Sequence, residues 1–506
     1  MEAWKRVPRS AVPAGGRPEP VRLAGAADAE PACSGMRARR GGFAWLLAGN
    51  VGYAACQWGA LVVLAKLTSP EDVGIFSLGL AITAPVFMFA SMQLRTVQAT
   101  DGREQHTFPE YLAVRLLCCT AALAVAALCA AAQPREAFWV VLIIACGKAL
   151  ESFSDLFYGF WQQQERPAWV GRSLMAYGAV NLGSLIAVIQ LTRSVLLGTA
   201  AFFGSRIVIL ALVDVPLTLR LLRRTNRRPR SGPGARTPSP EGRNRSAAGF
   251  SRRVADLLLL GFPLGAAALL MSLNTNLPRY FVDHWRGKAD LGVYSAMAAL
   301  ITAGTMLTKS LNQSSAARMA RIWNSGDRRE FSRLLARLLG TGCLTGAAGL
   351  LAAGFWSREL LTLLFRREYA AYPAAFLGIM TAAWLSYLVG TVETALFAVR
   401  ALGVQLPLRI ASSLATLAAC ACLVPAWGVT GAAWALVVGR LPVAVLGLMV
   451  MARTVFGEGR LDGGAAAGVD LPRPHWSTAV PVSAVGGAAG APHAGPAGAI
   501  GSRGET

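Results

Sequence analysis

Apolar residues in this chain fall into long blocks separated by short polar or basic stretches. A helix needs roughly 20 consecutive, mostly apolar residues to cross a bilayer. Reading for blocks of that size predicts twelve spans, at about 43–65, 74–94, 111–132, 138–160, 173–191, 195–219, 255–277, 291–308, 334–355, 373–398, 406–425 and 429–452. Polar residues interrupt the fifth and the eighth. The predicted class is an all-α polytopic membrane protein with about twelve transmembrane helices. Residues 1–41 carry Pro, Gly and Arg with no continuous apolar stretch before Phe43. They read as a disordered basic tail and not as a cleavable signal peptide.

Composition agrees with this pattern. Of 506 residues, 54% are hydrophobic and 15% charged, where a soluble domain has about 25% charged residues. Mean hydropathy is +0.45. A soluble enzyme, a secreted disulfide scaffold and a disordered regulator all fit poorly. The net charge of +22 would suggest nucleic acid in a soluble protein. Here it is a matter of position. Counting Arg337 and Arg409, which lie at span ends, with the adjoining loops, the loops and tails on the N-terminal side of the predicted membrane hold 36 of the 49 Lys and Arg, opposite loops 9, and span interiors 4 (Arg115, Lys148, Arg206 and Arg440). The positive-inside rule then places both termini in the cytoplasm, and no nucleic-acid partner is expected. The nine cysteines form no CxxC pair, and the four histidines form no HExxH. Neither a metal site nor a cofactor is expected.

Residues 223–253 interrupt the apolar pattern with RRTNRRPRSGPGARTPSPEGRNRS. This reads as a disordered basic linker on the cytoplasmic side, an orientation signal that could also meet anionic lipid headgroups. It divides the chain into an N-terminal lobe (42–222) and a C-terminal lobe (254–453), six spans each, followed by a Gly/Ala/Pro-rich cytoplasmic tail at 454–506 that is also expected to be disordered. The lobes echo each other. Asp72-Val-Gly-Ile-Phe-Ser77 matches Asp290-Leu-Gly-Val-Tyr-Ser295 at an offset of 218, and Gly204-Ser-Arg206 matches Val438-Gly-Arg440 at 234. Because each half starts on the same side, the repeats run parallel, about an axis along the membrane normal.

Charges inside a span are costly and usually face a cavity or a partner. Arg206 and Arg440 lie near mid-span, with no acid one turn away in their own span; Arg115, nearer an end, reads as a snorkelling side chain. Two fixed cations in a shared cavity would suit an anionic ligand, since Arg presents a bidentate fork to phosphate. Lys148, Glu151 and Asp155 stack on one helical face. Lys148 and Glu151 are either functional or a self-neutralising pair that holds helices together. Glu393 stands alone in the tenth span. Asn50, Tyr53 and Gln57 share a face of the first span, and Ser272, Asn276 and Arg279 a face of the seventh. These stripes suit sugar hydroxyls, or equally interhelical hydrogen bonds.

With these residues in view, the chain resembles the polysaccharide-biosynthesis oligosaccharide flippases of the multidrug/oligosaccharidyl-lipid/polysaccharide (MOP) exporter superfamily. The matching stretches are GNVGYAACQWGALVVLAKLTSPEDVGIFSLGLAITAP (49–85), QLRTVQATD (93–101), ALESFSDLFYGFWQQQERP (149–167), PLGAAALLMSLNTNLPRYFVDHWRGKADLGVYSAMA (263–298) and LLTLLFRREYA (360–370). Their order across about 43–453 carries the resemblance more than any single motif. It implies two six-helix lobes around a central cavity open alternately to each side. It also implies a lipid-linked glycan, usually a polyprenyl-pyrophosphate oligosaccharide, moved to the outer leaflet of the cytoplasmic membrane. Asn50, Tyr53, Gln57, Gln93, Arg95, Asn274, Asn276 and Arg279 then become cargo candidates beside Arg206 and Arg440. Glu151, Asp155 and Glu393 become candidates for a coupling ion. The expected partners are the lipid-linked glycan, the bilayer and a polymerase or glycosyltransferases of the same pathway. Two other functions are weighed. One is a small-molecule or drug exporter on the same fold. The other is a membrane-embedded glycosyltransferase or polymerase, which the short outward loops disfavour. No GxxxxGK[ST] motif predicts ATP hydrolysis.

Overall fold

A bilayer core offers no water to unpaired backbone groups, so a spanning chain must pair them internally, as helices do. The computed structural model describes residues 30–101, 105–227 and 247–456, and every regular element among them is helical. In order these are α1 (Glu30–Leu67), α2 (Pro70–Ser91), the short α3 (Leu94–Thr100), α4 (Phe108–Ala131), α5 (Arg135–Gln163), α6 (Pro167–Thr192), α7 (Val195–Ile209), α8 (Val215–Arg227), α9 (Ala247–Asn324), α10 (Arg328–Leu364), α11 (Pro373–Ala398) and α12 (Leu402–Phe456). A π-helical turn, Leu210–Asp214, joins α7 to α8. The predicted tails and linker lie largely outside the described residues. The described helices nevertheless reach into all three, since α1 begins at Glu30, α8 runs to Arg227, α9 starts at Ala247 and α12 ends at Phe456.

Among the described residues, ten apolar helical stretches are long enough to cross a membrane. Two are far longer than one crossing requires, and both break at a glycine. Gly287 divides α9 at φ 84°, and Gly428 divides α12 at φ 56°. This left-handed region is open to glycine and strained for other residues. Each arm on either side of a break is itself of spanning length, which is compatible with twelve crossings. The first arm of α9 runs antiparallel to α2, with Gly261 beside Met92 at one end and Tyr280 donating to the Ala81 carbonyl further along. The second arm starts back against α2, where Gly292 meets Pro70.

The ends of the helices define two sides. The near side carries the α2–α3, α3–α4, α5–α6, α8–α9, α9–α10 and α11–α12 connections; the far side carries α1–α2, α4–α5, α6–α7 and α10–α11. Helix starts follow from local sequence. At the far side Ser69 and Asp72 form a reciprocal capping box on α2, and Pro70 fills the first turn. At the near side Glu110 accepts from the Thr107 amide at 2.8 Å.

Helices α1–α8 pack as one lobe and α9–α12 as the other, joined chiefly by α2 against α9. In membranes, small residues let helices approach closely, and here the approach is extreme. A Cβ on Gly74 would lie 1.8 Å from the Lys288 carbonyl oxygen, and one on Gly292 would lie 1.8 Å from that of Pro70. These glycines are the matched positions of the Asp72–Ser77 and Asp290–Ser295 echo, so the two copies meet face to face. Arg366 adds a far-side bond across the lobes, donating to the Thr68 carbonyl at 2.9 Å. One apolar core spans this contact, from Val73 and Phe76 of α2 to Leu291 and Tyr294 of α9.

Candidate functional site

Inside the far-side seal, a cavity of about 700 Å³ separates the lobes. Its walls are the Leu46–Leu61 face of α1, Phe76 and Leu80 of α2, Lys148 and Glu151 of α5, and Arg279 and the Ala299–Gln313 face of α9. Exposed Asn50 and Lys309 lie at its near-side mouth, between α1 and the second arm of α9. A smaller cavity of about 360 Å³ lies between α2 and α9 and shares Leu61, Leu80, Lys148 and Arg279 with the first.

The polar wall of the N-terminal lobe is a hydrogen-bonded string. Gln57 donates to the Tyr53 hydroxyl at 2.7 Å, Tyr53 donates to Glu151 at 2.7 Å, and Lys148 reaches the other Glu151 oxygen at 2.7 Å. Lys148 and Glu151 thus neutralise each other, and both line the cavity. On the opposite wall Asn276 donates to the Ser272 carbonyl at 2.9 Å and accepts from Arg279 at 2.7 Å. The ionisable residues lining the larger cavity are three cations, Lys148, Arg279 and Lys309, and one acid, Glu151. An anionic group fits such a wall.

Of the residues singled out by sequence, the structure brings Asn50, Tyr53, Gln57, Glu151, Asn276 and Arg279 to these cavities. Asn50 returns its amide to the Leu46 carbonyl at 2.7 Å. Gln93 and Asn274 do not line either cavity: Gln93 is exposed at the left-handed turn between α2 and α3, and Asn274 lies on another face of α9.

Neither mid-span arginine lines these two cavities. Arg206 is 1% exposed inside the N-terminal lobe, its guanidinium 4.1 Å from the Tyr177 ring centre and 3.3 Å from the Tyr158 hydroxyl. Sequence spacing could not show this, because α5 and α6 bring those tyrosines from distant positions. Arg440 sits in the other lobe within electrostatic reach of Glu393, Tyr294 and Arg409. Glu393 does not stand alone, since Arg409 of α12 pairs with it at 3.1 Å. Nor does Arg115 snorkel: it is fully buried, with Asp155 at 3.8 Å. Arg95 holds the same carboxylate at 3.1 Å and also reaches Gln162, so both are drawn to Asp155 and away from the cavity. Each of the three ion-coupling candidates thus has a cationic partner in this conformation.

Sequence reading missed Lys309, Ser310 and Gln313, because the eighth span was ended at 308. Their recurrence with Thr302 and Met306 on one helical face was the available signal. It also missed Asp214, a fully buried acid in the π-helical turn that accepts from Ser173 at 2.6 Å. An acid inside a predicted span was signal enough.

Comparison with known proteins places this architecture. The chain is 25% identical over 327 residues to the capsular polysaccharide biosynthesis protein CapF of Staphylococcus aureus, a match covering 65% of this chain and 77% of CapF. It shares its fold with the lipid II flippase MurJ in an inward closed conformation, at TM-score 0.58 and 13% identity over 80% of this chain and 86% of MurJ. It likewise shares the fold of an inward-facing multidrug resistance MATE family transporter of the MOP superfamily, at TM-score 0.56 and 11% identity over 81% and 94% of the two chains. The polysaccharide biosynthesis protein family model matches residues 40–323, more than half of the sequence, and the chain belongs to that family.

Proposed function

We propose that this protein flips a lipid-linked oligosaccharide, a polyprenyl-pyrophosphate glycan, across the cytoplasmic membrane for cell-surface polysaccharide synthesis. The observation that carries the reading is the inter-lobe cavity with three cations to one acid. A pyrophosphate needs cationic partners once it leaves water, and Arg279 offers two nitrogens to it as a planar fork. Asn50, Gln57 and Gln313 along the mouth suit sugar hydroxyls. The polyprenyl tail stays in lipid, passing between α1 and the second arm of α9. No covalent chemistry is required.

The charge bias of the loops makes the near side cytoplasmic, with both termini there, and the described conformation is then open inward and closed outward. Alternating access follows if the lobes, 42–222 and 254–453, part at the Gly74–Gly292 crossing on the far side while they close on the near side. The MOP superfamily also holds multidrug transporters, but an excess of fixed positive charge disfavours cationic drugs. In a deletion strain, lipid-linked glycan should accumulate in the cytoplasmic leaflet of spheroplasts. Wild type should clear it, and Lys148→Ala/Arg279→Ala should not. Normal export by that double variant would sink the cationic-cavity reading.

A further inference from the structure

Ser77 and Ser295 occupy matched positions in the two echoing segments, one helical turn inside the Gly74–Gly292 crossing. They are 2% and 1% exposed, and neither hydroxyl has a hydrogen-bond partner among the described residues. A serine or threonine in a helix ordinarily returns its hydroxyl to the carbonyl three or four residues back. On the same two helices Thr83 does so to Gly79 at 2.7 Å and Thr308 to Thr305 at 3.1 Å. A buried hydroxyl left unpaired is costly, and two at equivalent positions point to a shared use.

Both serines line the smaller cavity with Ser272, Thr275, Asn276, Lys148 and Arg279, and among the described residues no acid lines it. Arg279 spends one nitrogen on Asn276 and has no carboxylate partner among the described residues. Lys148 is already paired with Glu151, so Arg279 is the cation left without a carboxylate, and an unpaired guanidinium among hydroxyl donors matches a tetrahedral oxyanion. Resting on the flippase reading above, we propose that this cavity is the pyrophosphate subsite, with Ser77 and Ser295 each giving one hydroxyl from its own lobe. Both hydroxyl oxygens are buried here, so donation to the ligand requires each serine to turn about χ1. Because the two donors belong to different lobes, separating the lobes at the far side pulls them apart and loosens the grip on the head group.

The test is titration calorimetry on the full chain in nanodiscs of neutral lipid. The probes are inorganic pyrophosphate, inorganic phosphate, a short-chain polyprenyl pyrophosphate and phosphatidylglycerol. Wild type should bind both pyrophosphates more tightly than phosphate or phosphatidylglycerol. Ser77→Ala and Ser295→Ala should each weaken pyrophosphate binding about tenfold or more, as loss of a hydrogen bond to a charged group does. Ser→Cys variants, which conserve the shape and weaken the donor, should fall the same way, with thermal midpoints unchanged. Wild-type affinity in Ser77→Ala/Ser295→Ala would overturn the subsite and leave the flippase reading standing. No affinity of wild type for either pyrophosphate would overturn both. Equal affinity for phosphatidylglycerol would assign the cavity to a phospholipid head group and overturn the pyrophosphate assignment.

Discussion

Replacing Gly74 by Ala puts a methyl group where the second arm of α9 now lies. The added Cβ would stand 1.8 Å from the Lys288 carbonyl oxygen, and real Cβ contacts do not fall below 3.0 Å. The obstacle is backbone, so no rotamer change relieves it and the two helices must separate. Overpacking of this kind costs about 1–3 kcal/mol. That cost falls only on the conformation in which α2 and α9 cross, and a difference of about 1–3 kcal/mol shifts a two-state ratio about 5- to 150-fold. Gly74→Ala and Gly292→Ala should therefore populate the state open at the far side and slow transport. A cysteine at the fully buried Leu291 reports this: with an impermeant maleimide added outside, Leu291→Cys should label faster when Gly74→Ala is present. Gly204→Ala, at a position with no atom within 4 Å of the new methyl, is the control and should change nothing. Unchanged labelling and normal transport in Gly74→Ala would refute the argument that this crossing is the far-side gate.

Four further outcomes follow from the polar contacts. Arg279→Ala should lose pyrophosphate binding with little loss of stability, because its one hydrogen bond is to Asn276; calorimetry and a melting curve separate the two. Arg206→Ala should do the reverse, destabilising the N-terminal lobe by about 2–5 kcal/mol through the space left between Tyr158 and Tyr177. Pyrophosphate affinity in its folded fraction should match wild type. Asp155→Asn strips buried Arg115 of its counter-charge and should cost about 3 kcal/mol, read as a lower unfolding midpoint; undiminished stability would contradict a structural role. Glu393→Gln breaks a pair with Arg409 whose side chains are 26% and 38% exposed. It should cost no more than about 1 kcal/mol in thermal unfolding.

The helical membrane architecture was legible in the sequence because lipid forces it. Backbone pairing demands helices and bilayer thickness sets their length, so apolar blocks alone gave the class of the protein. The facing of polar side chains was only partly legible. The stripes Asn50–Tyr53–Gln57 and Ser272–Asn276–Arg279 were found from spacing within one helix, and the cavity does lie against them. Arg206 and Arg440 could not be placed that way. Whether a mid-span arginine meets a cavity or an aromatic cage depends on neighbours from other helices, here Tyr158 and Tyr177 for Arg206. Likewise Glu393 lacks a partner within its own span and finds one in Arg409, from the next helix. The internal echo was weak as sequence, yet its glycines make the tightest inter-lobe approach. A two-fold axis places equivalent residues together, and glycine is what such proximity requires.

The most direct test of the central claim is reconstitution of the purified chain in liposomes loaded with a polyprenyl-pyrophosphate oligosaccharide. An enzyme that cannot cross the bilayer, acting on the exposed glycan, measures how fast the protected inner-leaflet pool becomes accessible. Wild type should make that pool accessible, and Lys148→Ala/Arg279→Ala should leave it protected as in protein-free liposomes. A pool that stays protected with wild type, under an imposed proton or sodium gradient as well as without one, would contradict the account.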